Sequence, residues 1–284
     1  MKLYCLPTTW CDVEVLEHEG KYAIIDTGDA RQEESIRPYL SALGIKKVEW
    51  ILITHFHLDH YGLLEKFVKD FEVGTVYFKE FSGYVTTDGG GRPCDDAALA
   101  KEKENCRRIK EICAAYSHVV EVETIKEIPF GPYTLKLFGN ENVIEEVHTA
   151  TGEKSTNENL NSLIAYMEVG SRSILLGGDV TDYETPFPQT SFQGTRFARE
   201  IGHSVDICKA PHHGVGIGTP ETLSIYHPTY IYITNFEDTV RTRTKTMELL
   251  AEYVPDADIT FATDGGRVFT IDDDGTITKE VFTA

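Results

Sequence analysis

The stretch "ILITHFHLDHYG", Ile51 to Gly62, constrains the fold more than any other part of the chain. A short apolar run, "VEWILI", reads as a buried strand and ends abruptly in His55, His57, Asp59 and His60. Imidazole and carboxylate groups are costly to bury without partners, so the strand must deliver them to a shared site. Extended backbone has a two-residue period, which points His55 and His57 the same way. Asp59 and His60 then fall at the start of a following helix. A single histidine on an apolar strand is usually a satisfied core residue. This density of ligand types after one strand points instead to metal, and neutral imidazole with carboxylate suits zinc, iron or manganese.

The same design recurs along the chain. "KYAIIDTG" ends in Asp26, "RSILLGGD" in Asp179, and "VDICKAPHHG" in His212 and His213. The remaining text alternates strand-like segments with helical ones. "RQEESIRPYLSALG", "LLEKFVKDF", "CDDAALAKEKENCRRIKEICAAYSH" and "TKTMELLAEYV" read as helices, and "RVFTIDDDGTITKEV" reads as a closing hairpin. Two blocks of strands followed by helices predict an α/β protein of two packed sheets with helices outside. No linker divides the 284 residues, so a single domain over 1–284 is expected.

Composition narrows the partners. Lys and Arg number 27 against 46 Asp and Glu, a net charge of −19. Such a surface repels a nucleic-acid backbone, so a small-molecule substrate is favoured over nucleic acid. There is no apolar run of membrane-spanning length and no secretory signal in "MKLYCLPTTW", so a cytoplasmic location and no membrane partner are expected. Cys5, Cys11, Cys94, Cys106, Cys113 and Cys208 form no CxxC pair and read as reduced core residues.

In order along the chain, "DTG" (Asp26–Gly28), "HFHLDH" (His55–His60), "GGD" (Gly177–Asp179) and "HHG" (His212–Gly214) resemble the motifs of the metallo-β-lactamase fold superfamily. The resemblance implies an αββα sandwich of two mixed sheets with a dinuclear metal site at one edge. It implies that His55 and His57 bind a first metal, Asp59 and His60 a second, and that Asp179 bridges them. One histidine of the 212/213 pair completes the second site; His213 is favoured, and spacing alone does not decide. Asp26 resembles the family's supporting carboxylate, which orients a ligand histidine.

The family's usual third histidine of the first site, in a GHTxGS-like motif, has no counterpart. Asn159, Asn161 and Ser162 stand there instead, in "TNENLNSL". This resembles the subgroup that includes the hydrolase domain of competence DNA-uptake proteins and the phosphorylcholine esterases. Asn159 then either reaches the metal through its amide oxygen or binds substrate, and His148 is a candidate replacement ligand. The competence-type His-containing stretch near the last helix is replaced by "NFEDTVRTRTKTMELL", with Arg241 and Arg243 as phosphate-binding candidates.

The resemblance implies a metallohydrolase holding two divalent ions, zinc first and manganese or iron next. The ions, about 3.5–4 Å apart, would share a hydroxide that attacks the substrate. A phosphodiester or phosphate ester is the expected substrate. An acyl compound (thioester, lactone or lactam) is the alternative, and a catalytically silent metal-binding module a further one. Asp59, Asp179 and His212 are the expected catalytic residues. Either His of the HHG pair not spent on metal could protonate the leaving group or bind the oxyanion, with Tyr61 and Lys209 behind it. Tyr84, Tyr183, Phe187 and Phe192 are candidate pocket walls.

Overall fold

The computed structural model describes residues 1–81, 96–139, 147–148, 154–155, 158–180, 182–184, 190–191 and 193–284. Among these, an eight-stranded sheet runs in the order Ile277–Phe282, Gly266–Ile271, Lys2–Cys5, Glu14–His18, Lys21–Ile25, Lys47–Ile53, Glu72–Phe78 and His118–Glu121. A seven-stranded sheet follows the order Asp258–Phe261, Tyr230–Ile233, Ile207–Lys209, Arg172–Leu176, Ile164–Val169, Tyr133–Phe138 and Glu127–Phe130. Both are mixed. Lys21–Ile25, Lys47–Ile53, Glu72–Phe78 and His118–Glu121 pair in parallel, and so do the strands from Arg172–Leu176 to Asp258–Phe261.

The layers follow from the alternation of side chains along each central strand. In Lys47–Ile53, Trp50 and Leu52 face the other sheet, where they meet Leu135, Met167, Ile174 and Tyr232. Ile51 and Ile53 face outward into a cluster with Ile36, Leu40, Phe67, Ile109 and Cys113 from the helices. On the second sheet Ile174 and Leu176 point inward, while Leu175 meets Phe197 and Tyr226 on the outer side. The result is the expected αββα sandwich. The long helix Asp96–Tyr116 buries Cys106, Ile109 and Cys113 on one face, the spacing of a single helical stripe.

Two features depart from a reading of the sequence by consecutive blocks. The closing hairpin, Gly266–Phe282, joins the first sheet rather than the second, pairing Leu3 with Phe269. It thereby covers the edge of the N-terminal strand, which would otherwise be open. The text from Gln193 to Arg243 also holds helices Gln193–Ile201, Pro220–Tyr226 and Glu237–Arg243 that local pattern left unread. Two of them are a single seven-residue stretch each, too short for a clear periodicity. Cys5, Cys11, Cys106, Cys113 and Cys208 are buried free thiols, and Cys94 lies outside the described residues. Among the described residues no helix is long and apolar enough to cross a membrane.

Gly178 sits where the second sheet delivers its polar residue, with φ +50. A Cβ there would meet Ser162 Oγ at 2.5 Å and the Leu163 carbonyl at 2.8 Å. Gly178→Ala is therefore expected to cost about 1–3 kcal/mol in denaturant unfolding, more than a surface substitution.

Candidate metal centre

Strand ends bring the polar clusters together. Asp26 follows Lys21–Ile25 directly, and its backbone N donates to the Leu52 carbonyl at 2.8 Å. That bond sets Asp26 beside the end of the neighbouring strand. Its Oδ1 accepts from the Thr54 backbone N at 2.8 Å, and its Oδ2 from the Thr54 hydroxyl at 2.7 Å. The same Oδ2 lies 2.7 Å from His60 Nδ1. With Nδ1 committed to Asp26, His60 presents Nε2 to the cavity.

Two groups of ligand atoms share Asp179. Asp59, His60, Asp179 and His213 offer atoms that all lie within 4.8 Å of one another, and so do His55, His57 and Asp179. In the first of these, His60 Nε2 is 3.3 Å from Asp179 Oδ1 and 3.7 Å from Asp59 Oδ2. His213 Nε2 is 3.2 Å from Asp59 Oδ2 and 3.7 Å from Asp179 Oδ1. In the second, His55 Nε2 is 3.0 Å from His57 Nδ1 and 3.8 Å from Asp179 Oδ2. Each oxygen of Asp179 thus faces a different group. His213 joins the group of Asp59 and His60. His212 stands on the other side, 3.9 Å from Asp179 Oδ2.

The residues at the place of the missing histidine have distinct positions. Ser162 Oγ accepts from the Asp179 backbone N at 3.0 Å and lies 3.0 Å from His55 Nδ1. It stands behind the His55 ring. Asn159 reaches the cavity, with Nδ2 3.2 Å from His212 Nε2. Asn161 turns away, donating to the Glu80 carbonyl at 2.9 Å. Strand Val147–His148 is described, but the His148 side chain is not. The Tyr183 side chain is likewise not described, and Tyr84, Phe187 and Phe192 lie outside the described residues.

Two expectations need correction, those for Tyr61 and Lys209. Tyr61 is buried in the outer core, with its ring 5.3 Å from Phe56, and does not enter the cavity. Lys209 is 1% exposed and ion-paired with Asp12 behind His213. Arg241 is engaged within its own helix by Glu237.

Asp12 is the residue that sequence reading missed. It is buried, its Oδ1 is 3.1 Å from His213 Nδ1, and it accepts from the Thr234 hydroxyl at 2.7 Å. A lone acid opening the strand-like "DVEVLEHE" carries no signal of its own. Trp10 was missed as well. It is 40% exposed, and its ring meets that of His213 edge-on at 6.1 Å.

The arrangement fits a cation. His60 Nε2 and Asp179 Oδ1 are buried and complete no hydrogen bond. Unsatisfied polar atoms of this kind are costly, and a divalent ion would take both. Electrostatics agree. Burial alone would lower the rings of His60 and His213. Asp179 with Asp26 and Asp59 instead holds His60 well above its usual range, and Asp179 with Asp12 raises His213 to about 9. Burial would raise Asp179, but the surrounding imidazoles of His60, His213 and His212 hold it well below the carboxylate range. His55 is pushed down by burial and by the neighbouring His60 and His57 rings.

These shifts set a pH dependence. Because His213 is raised from 6.5 to about 9, the metal-free protein gains stability from it below about pH 6.5 and loses that gain as pH rises through about 9. A zinc ion held by His213 would compete with the same proton, so zinc affinity should climb over this window. Melting curves in chelator and zinc competition titrations between pH 6 and 9.5 should therefore run in opposite directions.

Known proteins resemble this chain in sequence and fold. Residues 11–145 match the model of the Metallo-beta-lactamase superfamily. ComE operon protein 3 of Bacillus subtilis is 24% identical over 182 residues, which are 64% of this chain and 19% of that protein. The chain therefore corresponds to about a fifth of that relative's length. The metallo-beta-lactamase fold protein YhfI of Bacillus subtilis superposes with a TM-score of 0.52 at 9% identity, over 92% of this chain and 96% of that one. Zn(2+)-bound PqqB of Methylobacterium extorquens does so with a TM-score of 0.53 at 9% identity, over 92% and 98%. At such identities the two structures speak to the fold alone, and it is the matched segment, with its Asp26 and His55–His60 motifs, that is similar to the Metallo-beta-lactamase superfamily.

Proposed function

We propose that the chain is a metal-dependent hydrolase of a phosphodiester or phosphate ester. The observation that carries this reading is the placement of Asp179 between two ligand groups, one oxygen toward each. His55, His57 and Asp179 would hold one divalent ion; Asp59, His60, Asp179 and His213 would hold the other. Zinc suits this donor set best, with manganese or iron next. Such ions supply Lewis acidity toward a substrate oxygen and a nucleophile at neutral pH.

The chain's own residues do the rest. Asp26 orients His60, while Thr54 and Ser162, at 3.1 and 3.0 Å from His55 Nδ1, orient His55. On the side of His55 and His57, where Asn159 and Ser162 replace the motif's usual histidine and His212 stands 3.9 Å from Asp179 Oδ2, the oxygens of a tetrahedral phosphate would find room. Asn159 borders that room, and its amide can donate to such an oxygen. Burial lowers His212 to about 4, so at neutral pH it enters as an uncharged hydrogen-bond partner rather than a ready acid. The net charge of −19 supports a small ester over a polynucleotide.

Elemental analysis together with turnover of bis-p-nitrophenyl phosphate, a p-nitrophenyl phosphomonoester, a thioester and a β-lactam tests the reading. About two ions per chain are expected, with phosphoester turnover falling at least a hundredfold in Asp179→Ala. Turnover of the acyl substrates alone would transfer the assignment to acyl hydrolysis. A folded, zinc-supplied protein without metal or turnover would leave only a binding role.

Asn159→Ala separates substrate contact from metal binding. It is expected to raise KM or lower kcat about tenfold while leaving metal content unchanged, read by steady-state kinetics beside elemental analysis.

A further inference from the structure

We propose that Asp12 and Lys209 form a buried positioning pair that fixes the ring of His213, so that its Nε2 faces the cavity. The proposal rests on the reading of Asp59, His60, Asp179 and His213 as one metal-holding group. Asp12 divides its two oxygens between two tasks. Oδ1 faces His213 Nδ1 at 3.1 Å and accepts from the Thr234 hydroxyl at 2.7 Å. Oδ2 is taken by the Lys209 ammonium. Both side chains are 1% exposed.

Lys209 belongs to the strand Ile207–Lys209 that leads into the His212–His213 turn. Its Nζ also lies 3.5 Å from the Gly178 carbonyl, which accepts the His212 backbone N at 2.9 Å. One ammonium thus reaches Asp12 and the glycine turn that presents Asp179. Thr234 Oγ1 is itself 3.0 Å from His213 Nδ1, and Asn235 Nδ2 donates to the His213 carbonyl at 3.1 Å. The His213 backbone is held at φ +51, which a non-glycine residue keeps only when its surroundings over-determine it.

A buried ion pair is a poor device for stability alone, since apolar residues of similar volume often serve as well or better. Directional control of a ring is something apolar residues cannot supply. The same device serves His60, whose Nδ1 lies 2.7 Å from Asp26 Oδ2. Among the described residues His55, in the other group, is backed by the hydroxyls of Thr54 and Ser162. The two groups therefore differ: carboxylates stand behind the histidines of one, and hydroxyls behind His55 of the other. The group of His60 and His213 should bind its ion more tightly, because a carboxylate partner raises the basicity of a ligand imidazole.

The test compares the full chain with Asp12→Leu/Lys209→Met, which removes both charges at similar volume, and with the milder Asp12→Asn/Lys209→Met. One readout is the slowly exchanging, downfield Nδ1 ring proton of His213 in the metal-free protein, identified by its loss in His213→Gln. The other is Zn2+ affinity by chelator competition, with Zn2+ alone as the probe. The wild type is expected to show the ring proton. Asp12→Leu/Lys209→Met is expected to lose it and to bind the tighter zinc about 10–100-fold more weakly, with a cooperative melt retained. If that variant does not fold, Asp12→Asn/Lys209→Met should keep the ring proton and weaken zinc about tenfold. Wild-type zinc affinity in the folded variant would overturn the proposal. A wild-type protein with the ring proton but no zinc uptake would support the positioning pair and overturn the metal reading instead.

Discussion

The Asp26 carboxylate is the contact on which the rest of the centre depends. It joins the ends of two parallel strands through the Thr54 backbone N and hydroxyl, and it holds His60 by Nδ1. The Thr27 backbone N donates to the His60 carbonyl at 2.6 Å, so the turn after one strand and the helix after the next become one unit. Removing the carboxylate would loosen the register of that junction and the aim of His60 together. This is why a buried acid, raised in pKa chiefly by burial, occurs where an apolar residue would be cheaper.

Backbone strain is concentrated in the same place. Trp10, Asp26, His212 and His213 all have φ between 47 and 56, in the left-handed region that non-glycine residues seldom adopt. Each such residue costs of order 1–3 kcal/mol and persists only where its surroundings hold it. At Asp26 the holding contacts are the Leu52 carbonyl and Thr54; at His213 they are Asp12 and Asn235. Trp10 is held by its backbone N, which donates to the Thr234 carbonyl at 2.8 Å. Stability has been spent locally on aiming side chains, which is the pattern of a functional site rather than of a core.

What was legible in the sequence is what neighbouring residues encode. The run from Trp50 to Ile53 declares its two faces by alternation, and Asp26, the His55–His60 cluster, Asp179 and the His212–His213 pair each follow an apolar run directly. The closing hairpin was legible as a hairpin, but its place beside Lys2–Cys5 is a pairing across nearly the whole chain. Asp12 was illegible for the same reason. Its partners Lys209, His213 and Thr234 lie about 200 residues away, and nothing beside it in the sequence distinguishes it from a turn acid. Ser162 and Asn159 share one short motif, yet one turns behind His55 and the other toward His212. Spacing identified the motif; only packing separates the roles.

The two ligand groups are therefore unequal for a structural reason. One draws its histidines from a helix start and a strained turn, each backed by a carboxylate buried between the sheets. The other draws both histidines from a single loop, with hydroxyls behind His55, and His212 of the second sheet stands beside it, 3.9 Å from Asp179 Oδ2. An ion held by His60 and His213 would tie the strand ends of the first sheet to the turns of the second. An ion held by His55 and His57 would meet the second sheet at Asp179, with His212 and Asn159 beside it. The first arrangement would favour permanence and the second exchange, and an exchangeable side next to Asn159 and His212 is where a substrate oxygen would be expected to enter.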